Sequence, residues 1–264
     1  MRIRLFACAL LMLAAAMPAA SQDMRRYLDL SSPDMTSSEM TRDEVAGLAA
    51  KATPGRPADF TAKRLSGLDL SGLDLSGAVF RAARLNKTNL SAAKLDGVIL
   101  DQAWMLNADL KGASLKHAHL FAAQMWDAKL DGADLSDTRI AADLTGASLV
   151  GAKLTGANLA ADMKNQSMGL IRAVLKSARL DGADLSNADL SRADLQFASL
   201  LKTNLTGTSL RGADLSGADL SGANVSGTDF AGADVASARL AAPVGLDAAR
   251  NLDKAVNLDR LRRE

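Results

Sequence analysis

From Phe60 onward an apolar residue returns at every fifth position: Phe60, Leu65, Leu70, Leu75 and Phe80 open a series that runs to Met125, Leu130, Leu135 and Ile140. It resumes at Leu175 and continues through Leu220, Val225, Phe230, Val235 and Leu240. Two residues before most of these stands a small side chain, as in Ala108-Asp109-Leu110 and Ala213-Asp214-Leu215. In an α-helix five steps of about 100° move the stripe by about 140° per repeat, so the leucines would spiral round without sharing a face. A straight strand changes sides at every residue, and five is odd, so successive leucines would point to opposite faces. The period survives only where the chain turns once per repeat, a short extended edge leading to a corner where Gly, Ser and Asn collect. The pattern therefore predicts a solenoid with a dry Leu and Ala interior over residues 58–242.

The motif Ala, then Asp or Asn, then Leu, a polar residue and often Gly, as in Ala183-Asp184-Leu185, resembles the pentapeptide-repeat family. The resemblance implies an all-β fold, a right-handed quadrilateral parallel β-helix with four repeats per coil. It places the central Leu and the small residue two before it inside, and the other three residues outside. With coils spaced by about 4.8 Å, about nine of them make a rod roughly 43 Å long. Lys63, Leu68 and Leu73 stand where the small residue belongs, which marks the first coil as the irregular end.

The two open ends of such a rod need caps. Thr41-Arg42-Asp43-Glu44 reads as a capping box, so a short helix is expected within the segment 22–57, even though Leu30, Met35, Met40 and Val45 keep the five-residue beat. At the far end Pro243 should stop the solenoid, and the alternation of apolar and charged residues from Leu246 to Arg263 predicts a helical cap over 243–264, with a surface for a homodimer. The rhythm slips at Ile140 to Leu144 and at Leu159 to Met163, each advancing by four residues, and a loop within Gln166 to Arg172 should restore the phase. The segment 141–174 is thus either a tolerated irregularity or a shaped corner.

Before the repeats, Met1 to Arg4 carry two Arg, Leu5 to Ala16 are apolar, and Met17-Pro18-Ala19-Ala20-Ser21 supplies small residues. These are the parts of a secretory signal peptide over 1–21, cleaved near Ala20 or Ser21. Its apolar run is shorter than the ~18 residues that span a bilayer, so no stable membrane insertion is expected after cleavage. Cys8 is the one cysteine and falls inside that segment, leaving the exported chain without a thiol or disulfide. A periplasmic location follows.

Aromatic residues make up 3% of the chain, too few for an ordinary globular core, while 31 basic and 30 acidic side chains give a net charge of +1 and no global field for nucleic acid. No nucleophile elbow, phosphate loop or zinc-protease helix is present, so no catalytic, cofactor or metal site is assigned. His117 and His119, with Asp127 and Asp131 following them in sequence, lack a clear third ligand and read as a solvated pair. Asp194, Asp214 and Asp234 are one coil apart and should stack about 5 Å apart. Such a ladder could hold a cation, but Asp at this place more simply bonds the turn backbone.

Trp104 and Trp126 flank central residues twenty apart, so both indoles should point outward on neighbouring coils. With Leu106, Phe121 and Gln124 they form the candidate protein-binding patch; the alternative is that the indoles lie against adjacent aliphatic stems. Taken together, the sequence points to a non-enzymatic exported scaffold that binds an unknown protein of the cell envelope, with no nucleic-acid partner. The resemblance also admits a DNA-mimicking topoisomerase-binding protein, but residues 181–239 hold eight Asp against four basic side chains and residues 141–180 two against five. Such a patchwork falls short of the long anionic surface that mimicry demands. An envelope hydrolase without a known motif is the third reading.

Overall fold

The computed structural model describes residues 29–53, 55–163 and 171–264. The signal segment and Cys8, and most of the expected loop within 166–172, lie outside the described residues.

The fold follows from how one repeat disposes of its amides. In Ala188-Asp189-Leu190-Ser191-Arg192, Ala188 N–H donates to the Leu185 carbonyl (3.0 Å), Asp189 to Ala157 of the preceding coil (2.9 Å) and Leu190 to Ser209 of the next (2.8 Å). Arg192 N–H also reaches the next coil, at the Arg211 carbonyl (2.9 Å). The remaining amide, that of Ser191, cannot reach a neighbouring coil and instead donates to the Asp189 carboxylate at 2.9 Å. All five donors are satisfied, as buried or half-buried amides must be. The corner requires a left-handed residue, here Arg192 at φ 63°. At Gly217 the same conformation (φ +70) comes with crowding, since an added Cβ would meet the Phe197 ring at 2.6 Å.

Repetition of this unit builds four parallel ladders. One runs Asp59, Val79, Ile99, His119, Arg139, Asn158, Asp189, Ser209, Asp229, Arg250, and the others begin at Arg64, Asp69 and Asp74. Inside, the central Leu, Phe, Met and Val side chains and the Ala two before them form one continuous buried column. Thr replaces Ala at Thr88, Thr203, Thr208 and Thr228 without stranding a hydroxyl, because each donates to an inward carbonyl, as Thr228 does to Leu205 at 2.6 Å.

At the first coil, α1 (Pro33–Thr36) and α2 (Arg42–Ala49) precede the wall. Thr41 caps α2 through the reciprocal bonds with Glu44 that the sequence predicts. Val45 is fully buried in the core cluster, and Met40, Ala49 and Ala52 pack on it together with Leu68 and Leu73. This explains the large residues of the first coil: with no coil beneath, their positions meet a helix rather than a tight interior. Lys63 stays exposed at the rim and pairs with Glu39 at 3.3 Å. Among the described residues no helix is long and apolar enough to cross a membrane.

Residues 243–264 do not form the expected helical cap. Val244, Arg250, Val256 and Arg262 pair with Asn224, Asp229, Asp234 and Arg239, so the wall continues in six-residue steps. Gly245, Asn251 and Asn257 turn each corner in the left-handed conformation, followed by 3-10 turns at Leu246–Ala248, Leu252–Lys254 and Leu258–Arg260. The six-residue spacing of Leu246, Leu252 and Leu258, mistaken for helical, keeps them on the core because each corner absorbs one extra residue. Pro243 does not stop the solenoid, because it occupies the place whose amide elsewhere makes only the local turn bond, as Ala193 N–H does to Leu190 (3.0 Å). The rod therefore extends beyond residue 242.

The irregular corner also differs in part from expectation. The short step at Ile140 holds: Leu144 is buried, and Arg139 pairs with Asn158 nineteen residues on. There the corner straightens into a parallel pair, β1 (His119–Gln124) and β2 (Arg139–Asp143), with a register shift between Phe121 and Gln124. The second short step does not exist. Met163 is 45% exposed, and the next central residue after Leu159 is Leu175, with Ala173 as its small inward neighbour, because Val174 pairs with Asp143. Asp162 N–H donates to the Ile171 carbonyl at 2.8 Å, so the chain leaves the wall and returns at this corner. An apolar Met in phase imitates an inward residue, but only inter-coil pairing decides which one is inside.

Two outcomes are expected. Leu190→Arg should abolish cooperative folding, since it buries an unpaired charge in a closed column, whereas Ser191→Arg should cost only about 1 kcal/mol for the lost hydroxyl bonds; comparable melting temperatures would contradict the assignment of inside and outside. The second concerns Asp229 in the penultimate coil. Burial pushes its carboxyl up, but donation from Asn251, Ala231 N–H and Arg211, with the Arg211 charge, outweighs this and lowers it from 3.8 to about 2. A depressed carboxylate stabilises fully above its unfolded value and loses that contribution as pH falls through the folded one. Thermal melts should therefore show Asp229→Asn below the native protein at pH 7 and the gap closing towards pH 2; a constant gap would refute the linkage.

Candidate binding surface

The twenty-residue spacing of Met105 and Met125 brings Trp104 and Trp126 together, and they meet edge to face with ring centroids 6.4 Å apart and planes at 83°. The rest of the expected patch differs from an open apolar surface. Trp126 and Leu106 are buried at 6% exposure, while Trp104, Phe121 and Gln124 are half-buried. An indole at a corner has a large apolar body, and the edge of one ring meets the face of the other here. Trp126 thus acts as packing, and the accessible part of the candidate patch reduces to Trp104, Phe121 and Gln124.

Phe121 belongs to a second feature at the straightened corner. Asp101, His119, Leu120, Phe121, Arg139 and Asp162 line a cleft of about 230 Å³. Asp101 accepts the Phe121 amide at 3.1 Å and lies 4.0 Å from the Arg81 guanidinium. Arg139, half-exposed, reaches across to the buried Asp162 carboxylate at 3.5 Å. The cleft mixes an aromatic ring, an imidazole and opposed charges, a set suited to polar peptide contacts rather than to a single charge type. Arg139 and Asp101 were legible in principle, since they share one ladder region with His119 at coil spacing. Asp162 was not, because its position depends on where the chain leaves the wall.

The histidines do not converge. His117 holds a left-handed corner at φ 57°, and both His117 and His119 are exposed. Asp131 is engaged by Val150 N–H at 3.2 Å. Among the described residues no three His, Cys, Asp or Glu side chains gather in a metal-binding arrangement. Asp194, Asp214 and Asp234 do stack on one ladder, but their oxygens are taken by local donors. Each accepts an amide two residues on, from Gln196, Ser216 and Ala236 at 3.2, 3.0 and 2.9 Å. Asp194 also binds Arg172 (3.0 Å), Asp214 the Gln196 amide (2.7 Å) and Asp234 the Asn257 amide (2.8 Å). This is turn chemistry, repeated once per coil.

The profile of the pentapeptide repeats matches eight copies, over residues 64–102, 107–137, 140–160, 170–207 and 198–235. The chain belongs to the pentapeptide-repeat family. Members of this family fold as right-handed quadrilateral β-helices, in agreement with the four parallel ladders. The chain is 32% identical to HetL, a pentapeptide-repeat protein involved in heterocyst differentiation regulation from the cyanobacterium Nostoc sp. strain PCC 7120, over 77% of this chain and 86% of that one, with a TM-score of 0.43. It is 17% identical to QnrB1, a plasmid-mediated fluoroquinolone resistance protein, over 77% and 92% of the two chains, with a TM-score of 0.48. A pentapeptide-repeat protein from the Arabidopsis thaliana thylakoid lumen is 25% identical over 66% and 68%, with a TM-score of 0.14. No match was found among curated proteins.

Because Trp126 is packed and Trp104 is half-open, their single replacements should separate. Trp126→Ala is expected to lose about 3 kcal/mol of stability and Trp104→Ala distinctly less, measured by denaturant melts. Equal losses would contradict the burial difference.

Proposed function

We propose that this pentapeptide-repeat protein is a non-enzymatic scaffold of the cell envelope that binds another protein along the straightened corner. The observation that carries the reading is the cleft of Asp101, His119, Phe121, Arg139 and Asp162, placed where β1 and β2 interrupt an otherwise uniform wall. Ladder bonding makes the wall stiff, so outward side chains are presented with little ordering cost on binding. Phe121 supplies an aromatic anchor and Arg139 a charged one, the residue types that dominate protein interfaces. The half-buried Trp104 and Gln124 extend the surface one face over.

The charge distribution favours this reading over DNA mimicry. A single ladder carries Arg64 and Arg84 at one end and Asp194, Asp214 and Asp234 at the other, so its acidic stretch covers only part of the rod. The last coil offers a route to a homodimer, since Val244 and Val256 are exposed beside the half-buried Leu246, Leu252 and Leu258 at its open edge.

Affinity capture from an envelope extract tests the scaffold. The native protein should retain a partner that the Phe121→Ala, Arg139→Glu double variant loses, with both proteins melting within a few degrees of one another. Full retention by the variant would move the site elsewhere. In the same preparation the purified protein should begin at Ser21 or Gln22 and fractionate with the envelope; an uncleaved chain found solely in the cytoplasm would overturn export. Sedimentation of that preparation reads the dimer, and a monomer at all concentrations would remove it.

A further inference from the structure

Among the described residues the most exposed large hydrophobic side chain stands where the backbone disfavours it. Phe197 is 61% exposed. It holds its corner at φ 58°, and of the described residues in that left-handed conformation it is the one apolar side chain larger than alanine. Such a corner suits glycine, because a Cβ crowds the backbone there, so a phenyl ring costs stability twice, once in strain and once in exposed apolar surface. The ring lies over Gly217 of the next coil, where an added Cβ would meet it at 2.6 Å, and this contact fixes it on the ridge of the rod. Leu201, 37% exposed, follows at the next corner of the same coil.

The charges around this ridge are sorted by depth. Lys176, Arg179, Arg192 and Lys202 are all exposed. Lys176 belongs to the same corner one coil earlier, since its neighbour Ser177 donates its amide to the Gln196 carbonyl at 2.8 Å. Arg192 and Lys202 turn the corners on either side of Phe197, at φ 63° and 56°. Arg179 pairs with Ser199 on the face between Phe197 and Leu201, and touches Asp181 at 3.7 Å with its own side chain 63% exposed. The nearby carboxylates are drawn inward and engaged. Asp181 accepts the Ser199 hydroxyl and the Leu201 amide, Asp194 is 8% exposed and holds Arg172, and half-buried Asp219 accepts the Ser221 amide at 2.9 Å. The ridge therefore presents cations around an apolar tip, with the acids beneath.

We propose that this ridge rests on an anionic lipid bilayer, with the Phe197 ring and Leu201 entering the interfacial layer and Lys176, Arg192 and Lys202 meeting the headgroup phosphates. An aromatic ring is favoured at the boundary between headgroups and acyl chains, and long basic side chains keep their charge at that level while their stems lie along apolar surface. Each Lys or Arg near a negatively charged leaflet adds attraction, which salt screens. A convex ridge whose outermost charges share one sign matches a flat anionic surface, whereas a protein partner would have to bring both a pocket for the ring and acids for the cations. The contact is peripheral, since two apolar side chains dip into the interface and none spans it. It does not rest on the scaffold reading, because no residue of that cleft forms the ridge.

Vesicle flotation of the purified protein tests this. It should float with vesicles of phosphatidylcholine mixed with phosphatidylglycerol, stay behind with phosphatidylcholine alone, and be released as salt is raised. Phe197→Gly should lower the bound fraction severalfold without lowering the melting temperature, since glycine suits the corner; a ring needed only for packing would do the reverse. Lys176→Glu with Lys202→Glu should lower binding as strongly. The Phe121→Ala, Arg139→Glu variant of the cleft should float as the native protein does, so the ridge and the scaffold can fail separately. A signal segment still attached would contribute equally to the native protein and its variants, and the difference between them reads the ridge alone. Equal flotation with both vesicle types, or undiminished flotation of the ridge variants, would overturn the proposal. So would a native protein that ignores vesicles but loses an envelope protein on Phe197→Gly, a result that assigns the ridge to a protein partner.

Discussion

The structure depends on a backbone amide that the backbone ladders between coils leave unpaired. In each repeat the residue after the central Leu points its N–H along the corner, away from the ladder. Where an Asp or Asn stands one place before the Leu it accepts this N–H, as Asp189 does for Ser191 and Asn224 for Ser226, and elsewhere a side chain one coil earlier does so, as Asp101 does for Phe121 and Asn86 for Leu106. Remove that acceptor and a donor is left beside the dry interior; keep it and the corner closes with every donor paired. The Leu column, the left-handed corner residue and the parallel ladders then follow as consequences of repeating the unit.

This local bond also accounts for the chemistry that the surface lacks. Carboxylates in register from coil to coil resemble a ligand site when read as a ladder, but Asp194 and Asp214 each accept a backbone amide on one oxygen and a side-chain donor on the other, and Asp234 accepts both kinds of donor on one oxygen. A cation would have to displace these bonds. Recognition is therefore sought where the repeat is broken, at the straightened corner of β1 and β2.

The two ends solve the open-edge problem in different ways. At the first coil a capped helix lays Val45 on the core, and large residues fill what a further coil would have occupied. At the other end the wall continues in six-residue steps that keep Leu246, Leu252 and Leu258 inward while leaving Val244 and Val256 exposed. One end is closed by a change of secondary structure, and the other presents an edge.

The five-residue period by itself determined the solenoid, its inside and outside and the adjacency of Trp104 and Trp126, because each of these follows from spacing along a chain that turns once per repeat; the N-terminal helix was legible in the capping box of Thr41 and Glu44, against that beat. Spacing carries no information about what covers a side chain or where inserted residues leave the wall. Whether Trp126 was open or packed, whether Met163 or Leu175 came next inside, and whether Leu246 to Leu261 formed a helix or a further coil were decided by pairing between coils and by contacts across the corner. Those are long-range interactions, and Arg139 meets Asp162 at the cleft where the ladder step shortens to nineteen residues between Arg139 and Asn158 and lengthens to thirty-one between Asp143 and Val174.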